Sequence, residues 1–123
     1  MELGRLIAVK NIFAQHAQEK ITATVSYKIY KLCKSIEPEE TFYHQRRKQL
    51  IEQFAQRDDE GNIINNNGSI LLQPDKIEQA QQLLNELTSV DVDCPNIKFK
   101  LSELSEIKLS VSDIATIESL IEE

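Results

Sequence analysis

From Thr22 to Arg57 the apolar positions keep one helical phase. Val25, Ile29, Leu32, Ile36, Tyr43, Leu50 and Phe54 follow one another in steps of three, four and seven, which sets them on one side of an α-helix. Pro38 falls in the middle without shifting that phase. A proline inside a helix removes one backbone hydrogen bond and presses its ring against the carbonyl four residues back, here that of Lys34. The residue before a proline also resists helical geometry, and Glu39 and Glu40 would suit a fresh helix start. The alternative is therefore two helices broken at Pro38. The preserved phase predicts one long, kinked helix, with Thr22 or Thr24 positioned to cap it. A helix of that length needs a partner along its course.

The flanking segments supply one. Before it, Leu3, Leu6, Ile7, Ile12, Phe13 and Ala17 predict an amphipathic helix over residues 2–18, although Ile7-Ala8-Val9 could pair as a strand. Gln18-Glu19-Lys20 then turns the chain. After the long helix, Asp58-Asp59-Glu60-Gly61-Asn62 is a turn cluster, and Asn67-Gly68 is the dipeptide that best tolerates the positive φ angles of a tight hairpin. Residues 61–73 are thus a small β-hairpin, which must lie on something to persist. Pro74 and Asp75 open the next helix, 74–88, whose stripe is Ile77, Ala80, Leu84 and Leu87. It can pack antiparallel to the long helix. Ile97, Phe99 and Leu101 alternate with Lys98 and Lys100 as a period-two strand. Leu104, Ile107 and Leu109 continue as a second apolar segment. Ser110 and Asp113 form a capping-box pair ahead of a closing helix that buries Ile114, Ile117, Leu120 and Ile121.

The predicted fold is α+β and predominantly α. A long kinked helix packs on a second helix through a β-hairpin connector, and a small C-terminal strand-plus-helix unit completes a single domain over residues 1–123. The chain is long enough for a core without disulfides or metal. No apolar run approaches the roughly 20 residues of a membrane span, and Met1-Glu2-Leu3-Gly4-Arg5 lacks the basic and apolar regions of a signal peptide. The expected location is cytoplasmic. Cys33 and Cys94 could pair, but in that compartment the expected state is reduced.

Charge changes this picture more than composition does. Residues 1–57 carry ten Lys/Arg and six Asp/Glu, a balance of +4, whereas residues 58–123 carry four and fourteen, a balance of −10; together they give the net −6. Either the halves neutralise each other on folding, or the split serves self-association and the docking of partners. The basic side holds the best binding candidates, Tyr27-Lys28, Tyr30-Lys31 and Lys34, then Tyr43, Arg46 and Arg47. Tyrosine beside arginine or lysine can stack a base or clamp a phosphate, while the plain alternative is a solvated face. The pI of about 5.0 disfavours duplex nucleic acid.

Catalytic signals are missing. Asp91-Val92-Asp93-Cys94 offers potential metal ligands, but a strand would alternate their faces and no second cluster follows. The segment 58–62 lacks the ligand spacing of a calcium loop. There is no phosphate-binding glycine loop, no nucleophile elbow, and no base in sequence beside either cysteine. The chain is expected to be no enzyme and to need no cofactor.

One resemblance rests on order rather than on chemistry. Ser26-Tyr27-Lys28-Ile29-Tyr30-Lys31-Leu32 opens the long helix, an Asp-Glu-Gly-Asn turn follows at 59–62, and a Glu/Gln-rich helix ends at Leu83-Leu84-Asn85-Glu86-Leu87. Lys98 to Leu104, Ile107 to Ser110 and a short helix ending at Ile121-Glu122-Glu123 complete it. This arrangement resembles a group of small tailed-bacteriophage and prophage proteins with no assigned activity. Pro38 departs from that group's uninterrupted helix. The resemblance implies a role inside an infected host cell and brings no site residues. The leading expectation is a non-enzymatic interaction module that binds and modulates a host component such as a defence factor. One alternative is a homo-oligomer that sequesters a nucleotide-like anion through Tyr43, Arg46 and Arg47 at its interface. The other is a phage morphogenesis or assembly factor.

Overall fold

A computed structural model describes residues 1–122. The first helix, α1 (Leu3–Ala14), is shorter than its predicted span. The next residues coil into tighter turns, with the amides of His16 and Ala17 donating to the carbonyls of Phe13 and Ala14, so Ala17 ends exposed. Val9 is fully buried, and the Ile7–Val9 stretch is helical rather than extended. α1 is buried on a broad face because it packs against the long helix, the helix after the hairpin and the closing C-terminal helix. Its start is tied to the segment after α3 (Ile77–Thr88) by Leu3 N–H to the Val90 carbonyl and Val92 N–H to the Met1 carbonyl, each 2.8 Å. Gly4 sits where an added Cβ would stand 3.0 Å from the Thr88 Cβ, so the absence of a side chain sets how closely α1 and α3 approach.

The long helix is continuous. α2 (Ala23–Gln53) runs through Pro38 as one element of 31 residues, and the broken alternative is not adopted. Val25, Leu32, Ile36 and Leu50 are buried along its inner side. Its start is not closed by its own cap. Thr22 makes no side-chain bond to the first turn; its amide and hydroxyl both donate to the Glu106 carboxylate, each at 2.9 Å. α2 also stops short of Arg57. From Phe54 the backbone leaves helical geometry and is captured by the hairpin, with Gln56 N–H on the Leu71 carbonyl (2.7 Å) and Ile64 N–H on the Gln56 carbonyl (2.8 Å).

The hairpin strands β1 (Asn65–Asn66) and β2 (Ser69–Ile70) pair antiparallel, and Asn67 and Gly68 at the turn adopt φ of 52° and 84°. That is the positive-φ pair of a tight hairpin turn. The chain then makes a 3₁₀ turn over Pro74–Lys76 before α3. The α3 stripe keeps three of its predicted members, with Ala80 and Leu87 buried and Leu84 half-buried; Leu83 joins it half-buried, and Ile77 falls outside it at 47% exposed. α3 returns antiparallel to α2. Its approach is bonded at Phe54, while its far end, Leu87 to Val90, meets Phe42 and Leu50.

The C-terminal unit contains the largest departure from the alternating pattern. β3 (Phe99–Lys100) is short, and Leu101 begins a helical turn, α4 (Leu101–Leu104), with its side chain 62% exposed. The Glu103 carboxylate accepts the Lys100 N–H at 2.9 Å and turns the chain there. α5 (Val111–Ile117) starts at the expected capping box: Asp113 N–H donates to the Ser110 hydroxyl (3.0 Å), and Ser110 N–H to the Asp113 carboxylate (3.1 Å). After a 3₁₀ turn, β4 (Ile121–Glu122) pairs with β3 in parallel, Phe99 opposite Ile121. Parallel pairing requires a crossover, which α4 and α5 provide. Arg5 of α1 donates to the carbonyls of Ala115 and Thr116 at 2.9 and 3.0 Å, giving the end of α5 the cation it favours.

Two apolar clusters result. The larger joins Phe13 of α1, Leu32 and Ile36 of α2, and Phe99, Ile117 and Leu120 of the C-terminal unit. Phe13 and Phe99 stack with centroids 5.1 Å apart. The smaller cluster joins Leu3 and Ile7 of α1, Leu50 of α2 and Leu87 of α3.

Candidate interaction surface

Tyr27, Tyr30, Lys31 and Lys34 are spaced by three and four residues and so share the outward face of α2. The two tyrosines are 61% and 58% exposed, and their rings lie nearly parallel with centroids 6.4 Å apart. The Lys31 ammonium lies 5.6 Å from the Tyr27 ring and that of Lys34 lies 5.9 Å from the Tyr30 ring. The result is a ladder of two aromatic faces, each with a cation over it. Such contacts are worth about 0.5–1 kcal/mol at exposed sites and bias the rings toward this arrangement. A shallow cleft beside Tyr27 and Lys31 is closed on its far side by Asn96, Ile97 and Lys98.

Lys28 does not join the ladder. Its ammonium donates to the Glu103 carboxylate at 2.8 Å and to the Lys98 carbonyl at 3.0 Å, and it stands 5.7 Å from the Phe99 ring. The Lys28 hydrogen bond, helped by the Lys100 amide, holds the Glu103 carboxyl below its ordinary range. Lys28 is thus the clasp between α2 and the C-terminal unit. The evenly spaced Lys28, Lys31 and Lys34 divide into one structural tie and two outward cations.

Tyr43, Arg46 and Arg47 lie about 24 Å further along α2, at roughly 1.5 Å per residue. Tyr43 is half-buried against the smaller cluster, with His44 edge-on to its ring at 5.4 Å. Arg46 lines the groove between α2 and α3 with Phe42, Leu50, Glu86, Leu87 and Val90, and one of its nitrogens lies 3.3 Å from the Gln49 side-chain oxygen. Arg47 lines a different groove, with Ile51, Leu84 and the hairpin residues Gly68–Ile70. The two arginines therefore serve opposite flanks of the helix. Phe42, 50% exposed, and Val90, 43% exposed, are surface features that the sequence reading passed over. Phe42 stands off the main apolar phase of α2, which is a signal that could have found it.

The groups considered for chemistry are occupied by the fold. Asp58 accepts the N–H groups of Glu60 and Asn62, both at 2.9 Å, so this acid-rich segment is a self-bonded turn. Among the described residues, no group of three or more His, Cys, Asp or Glu side chains is arranged to hold a metal ion. Cys33 and Cys94 are free thiols. Burial pushes the Cys33 thiol up in pKa, which keeps it protonated and a poor nucleophile. Nearby, Lys10 pairs with Glu40, and that hydrogen bond raises the lysine above its ordinary value. No described helix is long and apolar enough to cross a membrane.

The chain matches no known protein family, no curated protein and no solved structure.

Proposed function

We propose that this chain is a non-enzymatic interaction module of phage type that binds and modulates a host protein, and that it docks through Tyr27, Tyr30, Lys31 and Lys34. The observation that carries the reading is the exposed tyrosine ladder. Two large rings left in water, side by side and each beside a cation, form an amphipathic surface of the sort enriched at protein interfaces. The lysines favour a partner with acidic groups around an apolar centre. The phage origin rests on the order of sequence elements described above. The clamp on a nucleotide-like anion by Tyr43, Arg46 and Arg47 has less support, because Tyr43 is half-buried and the arginines serve different grooves.

The test is capture from bacterial lysate, followed by reconstitution of the captured protein from purified components. Replacing Tyr27 and Tyr30 together by Ala should weaken the reconstituted complex by at least about tenfold, the usual scale for buried aromatic anchors. The helix content should not change. Failure to recover a specific partner, or a complex indifferent to the double substitution, argues against the reading.

A further inference from the structure

We infer that the groove between α2 and α3 is the interface of a symmetric homodimer, in which Phe42 of each copy enters the groove of the other. This face lies about 18 Å along α2 from Tyr30, at roughly 1.5 Å per residue, and is independent of the ladder.

α2 has 31 residues and α3 has 12, or about 46 Å against about 18 Å. α3 therefore covers only part of α2, and Phe42 stands where that cover ends, level with Leu87 and Val90. Phe42 and Val90 are 50% and 43% exposed at the rim of the groove, whose floor is Leu50, Leu83 and Leu87. The groove has a volume of about 230 Å³. That is smaller than the roughly 300–1,000 Å³ of small-molecule sites and is suited to receiving a side chain. The half-exposed Phe42 ring leaves its own groove open and is placed to enter a neighbour's.

Charge identifies that neighbour as a second copy. Arg46 and Glu86 line the same groove from its two walls, one on α2 and one on α3. Among the described residues they make no ion pair with each other, and neither pairs with another charged side chain. A twofold axis through the groove sets like residues on opposite sides. Arg46 then meets the partner's Glu86, and Glu86 meets the partner's Arg46, around an apolar centre. A surface bearing one charge of each sign about an apolar middle is complementary to itself.

The measurement is sedimentation velocity of the full chain, with native mass spectrometry to fix the mass. The expected species is twice the 14.1 kDa chain. Phe42→Glu should dissociate it by at least about tenfold, with circular dichroism unchanged because the position is half-exposed. Arg46→Glu and Glu86→Arg should each weaken the dimer, and the two together should restore it, since every opposed pair is then favourable again. A wild-type chain that stays monomeric up to about 1 mM, or a dimer indifferent to Phe42→Glu, overturns the inference. So does a double charge reversal no tighter than the single ones.

Discussion

Glu103 is bound to both of its neighbours by hydrogen bonds. It accepts the Lys100 N–H that starts α4 and the Lys28 ammonium that joins α2 to the C-terminal unit. Its folded-state carboxyl titrates below the ordinary value of 4.5. That preference stabilises the fold in full above 4.5 and is lost as the pH falls through the lower, folded value. Glu103→Gln should therefore remove part of the acid sensitivity. In chemical denaturation from about pH 6 down to about pH 3, wild type and variant should converge; parallel curves would show that the clasp carries no pH dependence. The cysteines give a second contrast. Cys94 is exposed, and burial raises the Cys33 pKa, so a haloacetamide near pH 8 should label Cys94 at least about tenfold faster. Equal rates would mean that Cys33 is open to solvent. Phe99 is fully buried against Phe13, and Phe99→Ala should cost about 3–5 kcal/mol by denaturant titration.

At the scale of elements, Pro38 and the Asn67–Gly68 turn are the two places where backbone chemistry sets the outcome. Pro38 is exposed inside a continuous helix, so it contributes no core packing to offset its missing N–H. Pro38→Ala should stabilise the fold by up to about 3 kcal/mol, the proline–alanine difference in helix interiors. A loss of stability would mean that the shape of α2 at Pro38 is needed by the packing around it. Gly68 has open space around it but a φ of 84°, so Gly68→Ala should cost about 1 kcal/mol from backbone strain alone. These elements were legible because their signals are local. The phase of α2, the Asn-Gly turn and the Ser110–Asp113 box each lie within a few residues of the structure they produce. The misjudged positions depend on distant partners. Leu101 leaves the strand because Glu103 holds the Lys100 amide and Lys28 holds Glu103. Phe54–Arg57 leave the helix because the hairpin takes their backbone bonds. Of the predicted site residues, the even spacing of Lys28, Lys31 and Lys34 implied one shared face, and the structure keeps only Lys31 and Lys34 on the outward one, beside Tyr27 and Tyr30. Spacing could not show that Lys28, three residues from Lys31, turns inward to a carboxylate 75 positions away.

Across the whole molecule, the two apolar clusters divide the stability unevenly. The smaller one, where α3 packs on Leu3, Ile7 and Leu50, has fewer buried side chains than the one around Phe13 and Phe99. Amide hydrogen exchange should therefore open α3 at lower free energy than the inner turns of α2 near Leu32. Uniform protection would indicate a single cooperative unit. The larger cluster has a further property, which follows from the position of the exposed Asp58–Asn62 turn. Phe13, Leu32 and Ile36 lie before that turn, and Phe99, Ile117 and Leu120 lie after it. A chain severed between Arg57 and Asp58 yields one piece carrying +4 and another carrying −10, from the Lys/Arg and Asp/Glu on either side. Neither piece can close the cluster alone, yet each holds the side chains and the opposite charge that the other lacks. Mixed, they should recombine into the native fold, quickly in dilute buffer and more slowly as salt screens the attraction. In effect, the protein is a pair of complementary halves written on one strand, suited to use as a split reporter.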